Sequence, residues 1–212
     1  HSETVRDLVV VTVSEGVGAG VFINGQLVLG KNAMAGEFGH VPLSLDGPIC
    51  TCGRQGCWEE YASHRAAERY YRELNPSAES RSFRQLLAMA EGGDPLALEA
   101  MDKMARAVGR GVRVIATGLA PEEIVVVGEF TRLWSRLGPI IEKEVACALL
   151  PGRPPRVRAV ADPRTARLRG TVALVLQKHF SAFSSKIEPP STSAQAASGN
   201  IAVMYASSSA DD

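Results

Sequence analysis

Four residues of types that bind metal ions lie close together in the first third of the chain. Cys50, Cys52 and Cys57 form a C-x-C-x4-C pattern, and His40 precedes the first cysteine by ten residues. One imidazole and three thiolates form the donor set of a closed tetrahedral zinc site. The surrounding loop has little apolar core of its own, so a bound metal ion would supply folding free energy. The spacing therefore predicts a structural zinc site.

Disulfide bonding is the alternative for these cysteines. Three clustered thiols cannot all pair with one another, and a cytosolic chain disfavours disulfides. We therefore favour zinc. The fourth cysteine, Cys147, lies in an apolar helical stretch and is predicted to be a small buried hydrophobic residue.

Carboxylates flank the predicted metal site on both sides. Glu37 precedes His40 by three residues, and Glu59 and Glu60 follow Cys57. Carboxylates on a rigid, metal-pinned loop can accept hydrogen bonds from the hydroxyls of a polyol or sugar. Equally, Glu37 could orient the His40 ring, and Glu59 and Glu60 could stabilise the N-terminus of the following helix. Position alone leaves these interpretations equal.

Composition excludes several classes of protein. The chain has 212 residues, enough for one large domain or two small ones, with 45% hydrophobic and 22% charged residues. The 23 Lys and Arg residues balance the 23 Asp and Glu residues, which argues against unaided binding to nucleic acid. No apolar run reaches the roughly 18 to 20 residues of a membrane span, and no signal peptide is evident. We expect a cytoplasmic protein without membrane contact.

The elements that must position the candidate site begin with a small sheet. Strands are predicted at 8–13, 21–23 and 26–29. A glycine-rich turn over 14–20 joins the first two strands, and Asn24-Gly25 predicts a tight turn before the third. From 31 to 57 the sequence has no period, and we expect a long loop ordered by its cysteines.

Helical periodicity dominates the rest of the chain. Helices are predicted at 59–74, 82–92, 95–119, 133–148 and 165–180. Ser82 and Asp94 are predicted to cap the second and third of these helices. The apolar run 124–127 predicts a buried parallel strand, and a further strand is predicted at 157–160.

The first strand begins within eight residues of the first residue, which is His1 and not Met. A buried strand needs neighbours on both sides. We therefore expect an N-terminal part of the protein to precede this chain, and we expect the first strand to have lost its sheet neighbours with that part.

Taken together, these motifs resemble the ROK family (repressor, open reading frame, kinase). The resemblance rests on the runs Gly16-Val17-Gly18-Ala19-Gly20, Asn24-Gly25, Ala35-Gly36-Glu37-Phe38-Gly39-His40 and Cys50-Thr51-Cys52-Gly53-Arg54-Gln55-Gly56-Cys57-Trp58-Glu59. It is dense over about residues 7–63, and the later runs Val125 to Gly128 and Ala166 to Gly170 follow in the same order. The combination A-G-E-x-G-H then C-x-C-G-x-x-G-C-x-E is highly specific.

The resemblance implies an α/β fold of the actin-like, ribonuclease-H-like ATPase type that sugar kinases share, with two lobes around a cleft. Residues 1–183 would form the C-terminal sugar-binding lobe, with a zinc-binding loop at 36–60. Residues 184–212 are rich in Ser, Ala and Pro and are expected to form a disordered tail. Homodimers or homotetramers are expected by the same resemblance.

The resemblance also implies roles for individual residues. His40, Cys50, Cys52 and Cys57 would bind a structural zinc ion. Glu37 and Glu59 would accept hydrogen bonds from sugar hydroxyls, and His40 would contact both the metal and the sugar.

Two functional classes exist in this family: hexose kinases that use ATP and magnesium, and repressors that carry an N-terminal winged helix-turn-helix. The kinases have an Asp general base upstream of the point where this chain begins. Their phosphate loop reads Gly-Thr-Gly-x-Gly-Gly-Gly. In this chain Gly16, Gly18 and Gly20 form a degenerate phosphate loop, in which Glu15 stands in place of Thr and Ala19 in place of Gly.

A third departure is Glu129, which stands where the kinases tend to have glycine beside the adenosine. The three departures favour a sugar-sensing effector domain of a transcriptional repressor, with DNA bound only through an absent N-terminal domain. The alternative is a fragment of an ATP-dependent, glucokinase-like hexose kinase.

Overall fold

A mixed five-stranded sheet forms the framework of the molecule. A computed structural model describes residues 5–77, 79–146 and 154–160. The strands are β1 (Leu8–Val13), β2 (Val17–Ile23), β3 (Gln26–Leu27), β4 (Glu123–Val127) and β5 (Arg156–Ala159). They lie in the order β3-β2-β1-β4-β5. β2 is antiparallel to β1 and β3, whereas β4 is parallel to β1 and β5.

The position of β1 corrects one expectation. This strand lies between β2 and β4 and pairs with both along its length, so it has its sheet neighbours within this chain. Val9, Val11 and Val13 alternate along β1 and are buried on one face. All five residues of β4 are buried, which confirms the buried parallel strand predicted from its apolar run.

Five α-helices fall within the described residues. They are α1 (Glu59–Ala62), α2 (His64–Leu74), α3 (Phe83–Glu91), α4 (Pro95–Leu119) and α5 (Trp134–Ala146). The caps predicted for α3 and α4 are confirmed: Ser82 and Gln85 form a capping box, and the Asp94 side chain accepts from the Ala97 N–H at 2.8 Å. α4 packs against α2, α3 and α5 and supplies the largest part of the core.

The predicted helix over 59–74 is broken into two. Ser63 has an extended backbone (φ −81°, ψ 171°), and its hydroxyl accepts the Ala66 N–H, so it ends α1 and caps α2. This break turns His64 toward the end of β1, where its backbone N–H donates to the Ser14 carbonyl at 2.8 Å. A continuous helix would not allow this contact.

The glycine-rich turn is shorter than predicted. β2 begins at Val17, so the turn covers only Ser14, Glu15 and Gly16, while Gly18 and Gly20 pair with β1. The tight turn at Asn24-Gly25 is confirmed by positive φ angles of 53° and 75°. The predicted helix 165–180, Cys147 and the tail 184–212 lie outside the described residues. No helix in the described part of the chain is both long and apolar enough to cross a membrane.

Candidate functional site

The loop between β3 and α1 is ordered by backbone contacts with itself and with β2. Gly36 accepts the Ala19 N–H at 3.1 Å, and isolated bridges join Pro42 to Cys57 and Ile49 to Gln55. Gly36 has a φ of +94°, and a Cβ at this residue would overlap the Ala19 carbonyl. The loop therefore lies directly on the backbone of β2.

The four predicted metal ligands come together in this loop. The donor atoms of His40, Cys50, Cys52 and Cys57 all lie within 4.8 Å of one another. Cys52 and Cys57 have 3.6 Å between their sulfurs, and Cys50 Sγ lies 3.6 Å from His40 Nδ1. The three cysteines are free thiols, so the disulfide alternative is not what the structure contains.

This arrangement fits a tetrahedral zinc ion. Zinc bonds of about 2.3 Å to sulfur and 2.0 Å to nitrogen require about 3.8 Å between two sulfurs and about 3.6 Å between sulfur and nitrogen. Both observed distances, 3.6 Å for the sulfur pair and 3.6 Å for sulfur and nitrogen, agree with that geometry. When bound, zinc would supply cross-links for the loop and no reaction step.

The thiols differ in their surroundings. Burial raises the pKa of Cys50 to about 12, and its hydrogen bond to Glu59 acts in the same direction. Burial also raises the pKa of Cys57, whereas a hydrogen bond from the Arg54 backbone lowers the pKa of the exposed Cys52. A bound metal ion would favour the thiolate form of all three cysteines because it stabilises the negative charge.

The two candidate sugar-binding carboxylates lie on opposite sides of the His40 ring. Glu59 Oε1 is 3.6 Å from Nδ1, on the side that faces the thiols. Glu37 Oε2 is 3.8 Å from Nε2, on the other side. Glu37 is 62% exposed and available to a ligand, whereas Glu59 is only 9% exposed at its side chain. Glu60 also lies near the cluster and, with Cys50 and Glu59, forms a second possible metal-binding group.

Gly16 connects the turn after β1 to this cluster. A Cβ at Gly16 would stand 2.8 Å from Glu59 Oε2, so a side chain at this position would displace the carboxylate from the turn. Of the three glycines predicted as a degenerate phosphate loop, Gly16 alone lies in the turn. Gly18 and Gly20 are strand residues.

A cavity of about 520 Å³, here called the crevice, opens at the carboxyl ends of β1 and β4. Its lining includes the carboxylates of Glu15, Glu68 and Glu129, the guanidinium of Arg84 and the imidazole of His64. Glu15 Oε1 lies 3.5 Å from His64 Nδ1, and the His64 ring stacks on Phe83 with 3.6 Å between centroids. The sequence motifs pointed to Glu15 and Glu129 but not to His64, Glu68 or Phe83. The one available signal was Ser63, whose residue type favours the N-cap of a helix that begins at His64.

His64 is the most unusual group in the crevice. Its side chain is buried, and its Nε2 has no hydrogen-bond partner among the described residues. Burial lowers the pKa of His64 below its ordinary 6.5, and the nearby Glu15 carboxylate opposes that shift. The ring is therefore neutral at pH 7.

Comparison with known proteins matches this chain to one family model and to relatives of two functional classes. The model of the ROK family matches residues 1–178. The glucokinase of Streptomyces coelicolor is 31% identical over 186 residues, covering 80% of this chain and 57% of the relative. The N-acetylglucosamine repressor of Escherichia coli O6:H1 is 32% identical over 184 residues, covering 82% of this chain and 45% of the relative. The chain thus spans about half the length of these curated relatives.

A solved structure shows the same fold. It is a ROK family glucokinase from Streptomyces griseus in complex with glucose and AMPPNP. The TM-score is 0.67 at 29% identity, over 75% of this chain and 57% of the solved chain. The fold is therefore the mixed α/β sheet of actin-like ATPase type expected from the sequence motifs.

Proposed function

The chain belongs to the ROK family, and from this premise we propose that it is the sugar-sensing effector domain of a transcriptional repressor. It binds a sugar or an amino sugar through Glu37, His40 and Glu59, beside a structural zinc ion. Support comes from the grouping of these three side chains around the thiol cluster, with distances of 3.6 and 3.8 Å from the imidazole to the two carboxylates.

The acidic lining of the crevice is the observation that favours a sensor over a kinase. Glu15, Glu68 and Glu129 contribute three carboxylates, and Arg84 contributes one cation. Two like charges about 4 Å apart cost about 1 kcal/mol in water and about 4 kcal/mol at an effective dielectric constant of 20. The phosphates of a nucleoside triphosphate in the crevice would be repelled by these carboxylates. We therefore infer that ATP is not the ligand of the crevice.

The alternative is an ATP-dependent hexose kinase of the glucokinase type. Similarity to the Streptomyces glucokinases favours it. Kinase and repressor relatives match this chain at nearly the same identity, 31% and 32%. The choice therefore rests on the chemistry of the crevice.

In the proposed role, sugar binding is coupled to DNA release. The sugar would favour one arrangement of two lobes or of two subunits, and a DNA-binding domain outside this chain would then leave its operator. A homodimer or homotetramer remains our prediction for the assembled protein. The balanced charge of this chain, 23 basic against 23 acidic residues, agrees with DNA contacts made elsewhere.

The proposal is tested on the full-length protein with three assays. Calorimetric titration should show no tight binding of Mg-ATP, and a coupled assay with glucose, N-acetylglucosamine and xylose should show no phosphorylation. Binding to its own promoter DNA should weaken when the recognised sugar is added. Phosphorylation of any of these sugars, or tight Mg-ATP binding, would refute the sensor function.

A further inference from the structure

A second cavity is lined by residues of α1, α2, α4 and the loop before α1, and it shares no lining residue with the crevice or with the Cys/His cluster. Its volume is about 260 Å³, and its polar lining residues are Ser44, Tyr61, Tyr70, Lys103, Arg106 and Arg110. The three cations lie on α4 at a spacing of three and four residues, which places them on one face of that helix. No acidic residue of the described chain lines this cavity.

The charges of this cavity are only partly compensated. Lys103 Nζ lies 3.7 Å from Glu99, and Arg110 Nε lies 3.6 Å from Glu144. Both carboxylates lie outside the cavity lining. Arg106, between the two in sequence, makes no ion pair with any residue that the structure describes. A basic helix face is ordinarily only solvated, but here the three cations meet in one concavity with two tyrosines and a serine.

We propose that this cavity is an anion site for a phosphate group, either inorganic phosphate or the phosphate of a small monoester. Guanidinium, ammonium and hydroxyl groups together can donate many hydrogen bonds, and the three terminal oxygens of a phosphate group can accept them. The volume is below the roughly 300 to 1,000 Å³ of drug-sized ligand sites, which fits a small anion. This inference does not depend on the sensor role.

The cavity also contacts the loop that carries the metal ligands. Leu43 and Ser44 belong to that loop, and a Cβ at Gly47 would overlap the Tyr61 hydroxyl. Tyr61 follows Glu59 by two residues, and the Tyr70 hydroxyl donates to the Tyr61 carbonyl at 3.1 Å. A bound anion would therefore contact the loop at Ser44.

The test is calorimetry on the metal-loaded chain in a phosphate-free buffer of low ionic strength. Separate titrations use inorganic phosphate, glycerol 3-phosphate and, as the uncharged control, glycerol. We expect saturable binding of one or both phosphates and none of glycerol. Comparing the two phosphates distinguishes the free ion from the monoester.

Three variants assign the binding to this cavity. Arg106→Ala should weaken it roughly 10- to 100-fold, and Arg106→Lys should weaken it less because it keeps the charge and loses the planar fork. Arg72→Ala removes an equal charge from an exposed position on α2 and should bind as the wild type does.

Thermal unfolding provides a second measurement. At one phosphate concentration, the phosphate that binds should raise the Tm of the wild type and of Arg72→Ala by similar amounts, and that of Arg106→Ala by less. Absence of saturable binding by both phosphates, or equal affinities in Arg106→Ala and Arg72→Ala, would overturn the proposal.

Discussion

The Cys50 thiol donates a hydrogen bond to the Glu59 carboxylate, with 2.9 Å between Sγ and Oε1. A residue predicted to bind the metal ion and a residue predicted to bind the sugar are therefore in direct contact. The other oxygen of Glu59 faces Gly16, at the turn that leads into the crevice. Glu59 thus connects the group of predicted metal ligands to the turn after β1. A change at Cys50 or at Gly16 would alter the contacts of the Glu59 carboxylate.

The metal cluster should hold about one equivalent of zinc in protein purified without added metal. Cys52→Ser should abolish this content, and because Cys52 is exposed, the substitution costs no core packing. Cys147→Ser, outside the cluster in sequence, is the matched control and should retain the metal. Elemental analysis together with thiol titration measures both. Absence of zinc with a disulfide between two of the three clustered cysteines would contradict the prediction.

The carboxylates beside His40 should govern sugar affinity. Glu37→Gln and Glu59→Gln keep the side-chain shape and remove the charge that accepts hydroxyl donors, so each should weaken binding roughly 10- to 100-fold. Calorimetry with glucose, N-acetylglucosamine and xylose identifies the sugar and measures the loss. Glu73→Gln, whose partner is Arg69 on the surface of α2, should bind as the wild type does. Zinc content measured on the same samples separates a lost hydrogen bond from a lost metal.

Removing the charge of Glu15 should improve binding of Mg-ATP to the crevice. Glu15 is 78% exposed, and solvent screens its field. The gain should therefore be near the aqueous limit of about 1 kcal/mol, or roughly five-fold. Glu15→Gln tests the charge alone, and Glu15→Thr introduces the residue of the kinase pattern. Unchanged affinity in both variants would show that this carboxylate does not exclude the nucleotide.

Stability should fall at mildly acidic pH because of His64. Its folded-state pKa lies below the ordinary 6.5, so the unfolded chain takes up a proton first as the pH falls. The contribution of neutral His64 to the free energy of unfolding is complete above about pH 6.5. It decreases as the pH falls through the lower pKa that His64 has in the folded state. Urea unfolding at pH 7.5 and 5.5 should show a smaller difference for His64→Gln than for the wild type.

Glu15→Gln should increase the loss of stability between pH 7.5 and 5.5, whereas His64→Gln decreases it. The reason is that the Glu15 carboxylate favours the protonated form of His64. The variant should lower the His64 pKa further and increase the loss of stability at pH 5.5. Titration of the His64 ring by NMR checks the direction independently. A folded-state pKa at or above 6.5 would contradict both predictions.

Contact between the loop and β2 should make Gly36 intolerant of a side chain. Gly36→Ala adds both a strained φ and an overlap with the Ala19 carbonyl, whereas Gly25→Ala adds strain at a φ of +75° with no atom within 4 Å. The overlap should cost about 1 to 3 kcal/mol more in the free energy of unfolding. Denaturant titration of both variants measures the difference, and equal stabilities would show that the loop moves away from β2 at no cost.

The grouping of four side chains that could hold a metal ion was predictable from the sequence alone. His40, Cys50, Cys52 and Cys57 lie within eighteen residues of one loop, so their residue types and spacing already restrict the geometry that they can adopt. The tight turn at Asn24-Gly25 and the caps at Ser82 and Asp94 were predictable for the same reason. Each depends on a few adjacent residues whose backbone preferences are local.

Packing between distant segments determined the features that the sequence did not predict. The place of β1 between β2 and β4, the break at Ser63 and the approach of Gly16 to Glu59 depend on residues far apart in the chain. Their positions follow from burial and close packing of the whole core, which local spacing does not encode. For this reason sequence motifs predicted the metal ligands, while only the tertiary structure placed His64 and the three carboxylates in one crevice.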